Sequence, residues 1–203
     1  PMILRAAPRP TSYVSPAQLS AAAYLPLGQR LTFGATARLG VLVPLGPKNS
    51  PNPPRSHLVD RFVLGGPHSL WGFRTHGAGP REQRHTATGL PGPTTPYDSL
   101  GGEVLGAAAL SLSAPLPGKL AVHSVRAQAF AAAGTLQQVR DLSAAPSLSE
   151  ALGAGMRACV GAGLVAPTQF GRAEINLTHV LRKRPTDLVQ RNGVQIGVTA
   201  TVY

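Results

Sequence analysis

The sequence of 203 residues is poor in several residue types, and each shortage excludes a class of protein. A single cysteine, Cys159, excludes an internal disulfide framework and a cysteine-based zinc site. Only 13% of residues are charged, whereas glycine (23) and proline (20) are abundant, so long helices are not expected. No run of about 18 uninterrupted apolar residues occurs, and the sequence therefore predicts no membrane-spanning helix.

Residue patterns for catalysis or cofactor binding are also missing. The six histidines are dispersed and lack metal-ligand spacing with acidic residues. Serine and aspartate occur without a nucleophile-elbow pattern. Glycine-rich stretches such as Gly161-Ala162-Gly163 lie within predicted strands with no helix after them, unlike a phosphate-binding loop. We therefore expect no enzyme activity, no catalytic residues, no metal and no cofactor.

Acidic residues are scarce: 8 stand against 19 lysines and arginines, for a formal charge of +11. A basic soluble domain would suggest nucleic acid, and Arg182-Lys183-Arg184 could contact phosphates. However, the other basic residues are scattered singly, and aromatic residues for base stacking make up only 5%. A basic barrel interior, or basic loops facing acidic partners, fits the charge equally well. We expect no nucleic-acid partner, and keep a soluble basic β-protein that binds nucleic acid as an alternative.

The sequence does contain long stretches in which apolar and polar residues alternate. From Leu31 to Val43 the odd positions are apolar, whereas Thr32, Thr36 and Arg38 lie opposite them. Such a period of two predicts strands with two different environments. The segments with this pattern are 18–25, 31–43, 102–113, 122–132, 157–166, 172–179 and 194–203.

About seven strands of roughly ten residues, separated by turn signals, predict an all-β fold: an antiparallel transmembrane β-barrel segment. A soluble β-sandwich would show the same alternation with its apolar face turned inward. The low aromatic content and the strand length favour the barrel, because strands of globular sheets are usually about five or six residues long. We assign residues 1–16, which carry four prolines and no periodicity, to a loose N-terminal segment and residues 17–203 to the barrel.

A long proline-rich loop is predicted at about 45–100, and loops of this length tend to be functional. Within it, residues 61–73 read Arg-Phe-Val-Leu-Gly-Gly-Pro-His-Ser-Leu-Trp-Gly-Phe, which predicts a tight turn with an aromatic side chain to bury. The run resembles the signature loop of the outer-membrane insertase (bacterial surface antigen) superfamily, in particular the barrel subunit of the mitochondrial sorting and assembly machinery. That pattern is Arg-Phe-x-x-Gly-Gly-Pro-x-Ser-x-Arg-Gly-Phe. The signature residues here are Arg61, Phe62, Gly65, Gly66, Pro67, Gly72 and Phe73, with Trp71 in place of the second arginine.

A second motif lies at the C-terminal end of the sequence. Residues 191–198 match the mitochondrial β-signal, which is polar, any, glycine, two of any kind, hydrophobic, any, hydrophobic. The matching residues are Arg191, Gly193, Ile196 and Val198. We expect the glycine to let the strand edge approach closely, and the apolar side chains to face lipid.

The resemblance covers nearly everything from residue 18 to 203 and implies the C-terminal part of a barrel of about sixteen strands, preceded by soluble domains. It implies insertion and assembly of β-barrel proteins into the mitochondrial outer membrane. The implied partners are outer-membrane lipid, β-barrel precursor proteins and other subunits of the complex. A plastid outer envelope or a bacterial outer membrane is the alternative location. Because seven strands leave two open edges in lipid, we expect either a fragment of a longer protein or a truncated or inactive paralogue.

The resemblance also implies a mechanism. The loop folds back into the barrel and braces its wall, and an incoming precursor pairs its β-signal strand with an edge at the seam, without a nucleotide. The family arginine lies inside the barrel among polar or acidic groups. Here Trp71 replaces it and no Asp or Glu occurs from 104 through 140, which is consistent because an unpaired buried charge is costly. We expect residue 71 to face the strands at 102–113 and 122–132.

Overall fold

The architecture is that of an open, antiparallel β-sheet with a long loop folded onto one side. A computed structural model describes residues 13–28, 30–45, 56–67, 69–83, 97–118, 124–138, 153, 155–168 and 171–200. No helix in this part of the chain is long and apolar enough to cross a membrane.

Seven long strands form one sheet, in which every neighbouring pair is antiparallel and the order is β1-β2-β5-β6-β7-β8-β9. These strands are β1 (Tyr13–Leu27), β2 (Leu31–Leu45), β5 (Val104–Pro115), β6 (Arg126–Gln137), β7 (Arg157–Thr168), β8 (Gly171–Arg182) and β9 (Val194–Ala200). Between β2 and β5 lie a 3₁₀ turn (Leu58–Asp60) and a small hairpin of β3 (Arg81–Gln83) and β4 (Tyr97–Ser99). The predicted all-β barrel segment of about seven strands is confirmed.

Some boundaries differ from the prediction. Strand β1 begins at Tyr13, so residues 13–16 are strand and not part of a loose segment, while residues 1–12 lie outside the described residues. Pro16, which interrupts the predicted pattern, lies within this strand opposite Leu42 of β2. Strand β6 lies about five residues later than predicted, at Arg126–Gln137. Residues 46–55 and 84–96 of the predicted loop, and 201–203 of the last strand, lie outside the described part.

The two faces of the sheet differ as the alternation predicts. On the outer face, aliphatic side chains are largely exposed; Leu177 has 62% and Ile196 67% of its surface accessible. Further members of this face are Leu19, Leu25, Leu39, Val41, Val43, Leu110, Leu112, Leu164, Ile175, Leu181, Val194 and Val198. Soluble monomers rarely expose a continuous aliphatic surface of this extent. We therefore treat the outer face as the lipid face of a transmembrane wall.

The buried core lies on the opposite, inner face, between the sheet and the loop. It consists of Leu64, Leu70, Phe73 and Ala78 of the loop and Leu105, Ala132, Leu136 and Cys159 of the wall. Cys159 is 1% exposed and lies within this core. The loop thus supplies the apolar groups that a soluble sheet would take from a second layer.

The lipid-face assignment predicts a strong dependence on where a charge is placed. Ile175→Arg, in the middle of β8, should destabilise the protein in lipid vesicles by about 2–4 kcal/mol, because the guanidinium must enter hydrocarbon. Val59→Arg is the control, since Val59 is 94% exposed in the 3₁₀ turn. Urea unfolding in vesicles measures the difference. Equal stability of the two variants, or release of the unmodified protein by alkaline carbonate, would contradict the assignment.

Candidate site between the inner loop and the last strand

We call residues 61–79 the inner loop. Its base is closed by its first two residues, Arg61 and Phe62. Arg61 donates from Nε to Ser56 Oγ (2.9 Å), from Nη2 to Ser56 O (3.2 Å) and from Nη1 to Leu100 O (3.1 Å). Phe62 and Gly102 exchange two backbone hydrogen bonds, each of 2.9 Å. Together these contacts join the chain that follows β2 to the chain that leads into β5.

The two adjacent glycines turn the inner loop back on itself. Gly65 and Gly66 have φ of +109° and +98°, in a region that side chains with a Cβ rarely adopt. A Cβ at Gly65 would lie 2.5 Å from Arg74 O, and one at Gly66 would lie 3.2 Å from Thr75 Oγ1. Gly66 N–H bonds to Leu70 O at 3.1 Å. The predicted tight turn is present. It needs glycine for two reasons, the positive φ and the close packing against residues 74 and 75.

Trp71 lies at the tip of the inner loop and reaches two distant strands. Its ring packs against Phe130 of β6, with centroids 5.9 Å apart and planes inclined by 48°. At Gly197 of β9, a Cβ would stand 3.0 Å from Trp71 Cη2 and 2.9 Å from Pro67 Cβ. The expected approach of residue 71 to β6 is present, its expected approach to β5 stays a prediction, and its contact with β9 was not predicted. Gly197 is therefore needed as glycine to admit the loop tip.

Gln195 of β9 holds the loop tip by hydrogen bonds to its backbone. Its Nε2 donates to Phe73 O (2.7 Å), and its Oε1 accepts from Gly72 N–H (2.6 Å). Gln195 is 7% exposed, and Phe73 is fully buried. Sequence reasoning missed this residue because it occupies an unrestricted position of the β-signal. Its place on the polar side of the alternation, two residues before Gly197, is the signal that could have found it.

The predicted β-signal residues divide between the lipid face and the turn before β9. Ile196 and Val198 are 67% and 58% exposed on the outer face, as expected for lipid-facing side chains. Arg191 is exposed in the preceding turn. Gly193 precedes the strand rather than lying within it; its φ is +67°, and its carbonyl accepts from Thr178 N–H (2.7 Å) and Oγ1 (2.8 Å). The close approach predicted for this glycine is thus to the backbone of β8.

The connector between β8 and β9, residues 183–193, is held by a buried ion pair. Arg157 and Asp187 are joined at 3.0 Å (Nη2–Oδ1) and 3.1 Å (Nε–Oδ2), and both side chains are fully buried. Arg157 also donates to Gly155 O at 2.7 Å. Asp187 accepts from the backbone N–H of Arg184 (2.6 Å) and of Gly79 (3.4 Å). Removing one partner of such a pair costs about 3–5 kcal/mol, because the other charge stays buried.

Backbone hydrogen bonds join the connector directly to the inner loop. Arg74 N–H donates to Leu188 O (2.9 Å), and Leu188 N–H donates to Gly77 O (2.8 Å). Gln190 N–H donates to Gly72 O at 2.9 Å. The connector therefore pairs with the inner loop much as a neighbouring strand would. These hydrogen bonds fix the two segments relative to each other as one unit.

The β3–β4 hairpin adds a cation beside this unit. Arg81 donates from Nη1 to His76 O (2.9 Å) and from Nη2 to Tyr97 O. Burial lowers the pKa of the Arg81 guanidinium, while Asp187 and Asp98 act in the opposite direction. Arginine remains charged in proteins, so a positive group lies next to the buried ion pair.

A carboxylate lies on the inner face near the loop tip. Glu174 of β8 pairs in register with Gly197 of β9. Its oxygens already accept from Gln128 Nε2 (3.0 Å) and Asn176 Nδ2 (3.1 Å), and it forms a 2.8 Å ion pair with Arg172. Glu174 lies outside the acid-free stretch 104–140, so nothing in the sequence indicated that a carboxylate lies near residue 71. In the described part of the chain, no set of three or more His, Cys, Asp or Glu could hold a metal ion.

Comparison with known proteins places this architecture in a family. A family model described as the Omp85 superfamily domain matches residues 8–200. The chain belongs to the Omp85 superfamily. The resemblance of the sequence to the outer-membrane insertase superfamily is thereby confirmed.

Similar proteins of two yeasts have names that refer to the sorting and assembly machinery. A SAM50-like protein of Schizosaccharomyces pombe is 32% identical over 82% of this chain and 31% of its own length. The sorting assembly machinery 50 kDa subunit of Saccharomyces cerevisiae is 30% identical over 83% of this chain and 31% of its own. The chain thus spans about a third of these relatives. The crystal structure of BamA from Haemophilus ducreyi lacking POTRA domains 1-3 shares the fold, with a TM-score of 0.64 at 21% identity over 92% of this chain and 34% of that chain.

The hydrogen bonds of Gln195 can be tested without changing side-chain volume much. Gln195→Leu should expose the loop tip to protease, because Gly72 N–H and Phe73 O lose their partner at a cost of about 1–3 kcal/mol each. Gln18→Leu is the control, since Gln18 is exposed and bonds only weakly, to Ser20 at 3.4 Å. Limited proteolysis of the membrane-embedded protein gives the readout. Unchanged protection in Gln195→Leu would show that these bonds do not hold the loop.

Trp71 permits a double-mutant test of the loop seat. Trp71→Arg should not increase protection of residues 65–73, because Ala132, 6% exposed in the core beneath the loop, offers no charge. Combining it with Ala132→Asp should protect the loop better than either single change. Protease protection of the four variants measures the coupling. Equal protection in all four would mean that residue 71 does not face β6.

Proposed function

We propose that this chain is the C-terminal wall of a barrel insertase that inserts and assembles β-barrel proteins in the mitochondrial outer membrane. The observation that carries the proposal is the way in which the last strand is held. Gln195 and Gly197 fix β9 to the inner loop through its inner face, while β8 is its only strand partner among the described residues. In this proposal the backbone groups of its other edge pair with an arriving strand.

An edge held in this way suits templated strand addition. Lipid provides no hydrogen-bond partners, so an arriving strand gains the full benefit of pairing with a preformed edge. Ile196 and Val198 on the outer face keep that edge in the hydrocarbon. We assign the driving force to backbone pairing, with no catalytic residue and no cofactor in the mechanism.

The signature residues have a bracing role in this proposal. Arg61 and Phe62 close the loop base, Gly65, Gly66 and Pro67 form its turn, and Trp71, Gly72 and Phe73 contact the inner wall. The connector and its buried ion pair hold β9 in position before an arriving strand pairs with it. The proposed partners are barrel precursors, outer-membrane lipid and other subunits of a sorting and assembly complex, as the names of the relatives suggest.

Trp71 favours a second candidate, an inactive paralogue. The guanidinium of the family pattern makes directional bonds that an indole cannot make. If the loop must leave the wall during assembly, an apolar anchor of this size would alter the equilibrium between the seated and the released loop. This candidate predicts correct membrane insertion of the protein with no assembly of precursors.

Site-directed crosslinking separates the two candidates. In a Cys159→Ala background, Ile196→Cys places a thiol on β9, and Leu164→Cys places a matched, exposed thiol on the interior strand β7. A precursor with a cysteine in its C-terminal strand should crosslink to residue 196 during assembly, because facing residues of paired strands lie about 4.5–5.5 Å apart. Residue 164 should not react, since both edges of β7 are occupied.

Two outcomes would contradict the proposal. Equal crosslinking at both positions would show that precursors contact the wall without edge pairing. Precursors that assemble normally in mitochondria depleted of this protein, or that never crosslink while the protein is correctly inserted, would support the inactive paralogue.

A further inference from the structure

We propose that a cleft between the end of β8 and the connector binds the phosphate group of an anionic phospholipid. The proposal concerns a lipid site on the outer rim of the wall. It does not depend on the insertase function, because a structural barrel wall would use such a site equally.

The cleft arises because β8 is longer than its partner. Pairing of β8 with β9 ends at Leu177 opposite Val194, and Thr178 makes one more bond, to Gly193 O at 2.7 Å. Residues 179–182 of β8 continue beyond that point. The connector folds back beside them and leaves an open cleft of about 740 Å³.

The lining of this cleft is basic. Lys183 and Arg191, both exposed, line it together with His179 and Asn192. No Asp or Glu is among its lining residues. In the part of the chain that the structure describes, neither cation has a hydrogen-bond or ion-pair partner. Ammonium and guanidinium groups left unpaired around a cavity are suited to a phosphate.

The acid that could have neutralised the cleft is engaged elsewhere. Asp187 belongs to the same connector, but its carboxylate is buried and bonded to Arg157, to Arg184 N–H and to Gly79 N–H. It therefore cannot turn toward Lys183 or Arg191 without breaking a buried pair. The positive charge of the cleft is consequently available to an external anion.

The surroundings favour a lipid over a soluble phosphate. Leu177 and Leu181 flank His179 on the outer face and are 62% and 61% exposed. The cleft therefore opens where the aliphatic surface ends, at the end of the wall that carries the connector. Phosphate groups of a bilayer lie just beyond its hydrocarbon core, at the level where such a surface ends. A phosphate held by Lys183 and Arg191 would allow an acyl chain to lie along Leu177.

The test uses the protein reconstituted in phosphatidylcholine vesicles that contain a photoactivatable phosphatidylglycerol. Labelling of residues 177–193 is quantified by mass spectrometry. Lys183→Gln with Arg191→Gln should reduce labelling about twenty-five-fold, at about five-fold for each cation near an anionic surface. The control removes the same charge elsewhere on the surface, with Arg30→Gln and Arg74→Gln, and should change labelling by less than about two-fold.

Folding and ligand source are controlled separately. Lys183→Arg with Arg191→Lys retains both charges and should retain labelling, which separates loss of the site from loss of the fold. Equal loss of labelling in the test and control pairs, or no loss in either, would overturn the proposal. Loss of labelling at residues 177–193 on addition of inorganic phosphate, with labelling of the rest of the wall unchanged, would assign the site to free phosphate and overturn the lipid assignment.

Discussion

Lipid offers no partner to a backbone N–H or C=O group, and the rest of the structure follows from the need to pair these groups inside the protein. The long strands exist because each residue of an interior strand is bonded to two neighbours. The aliphatic side chains face outward because the same wall contacts hydrocarbon. The inner face then carries glycine and polar residues, and the apolar core must be completed by the loop that folds onto it. Outer wall, inner face and loop are therefore consequences of one requirement.

The last strand meets two demands that conflict in an ordinary sheet. In the proposed function it is fixed in space, while its edge facing away from β8 accepts a further strand. The structure separates these demands by using side chains and the connector for the first and backbone edge groups for the second. Gln195 bonds to the loop, Gly197 admits Trp71, and Arg157 with Asp187 anchors the chain that leads into β9. None of these contacts uses backbone groups on the edge of β9 that faces away from β8.

Local patterns predicted the strands well, because the direction of side chains along a strand repeats every two residues. The turn at Gly65 and Gly66 was also predictable, since positive φ leaves a clear trace in sequence. Contacts between segments distant in the chain left no such trace. Arg157 and Asp187 are 30 residues apart, and Gln195 is more than 120 residues from the loop that it holds. The early start of β1 was obscured by Pro16, because proline is uncommon within strands.

Trp71 seats the loop by apolar packing at the position where the family pattern has an arginine. Its ring packs on Phe130 of β6 and lies against Gly197 of β9, so it spans the inner face between two strands that are not neighbours. Burial of an aromatic side chain is non-directional and weakly sensitive to salt, whereas a charged anchor depends on one carboxylate and its geometry. The carboxylate near this position, Glu174, is already bonded to Arg172 and two amides, so an arginine at residue 71 would have to compete for it. An apolar anchor avoids that competition and leaves the polar network of β6 and β8 intact. The tryptophan and the occupied carboxylate are thus two parts of one arrangement.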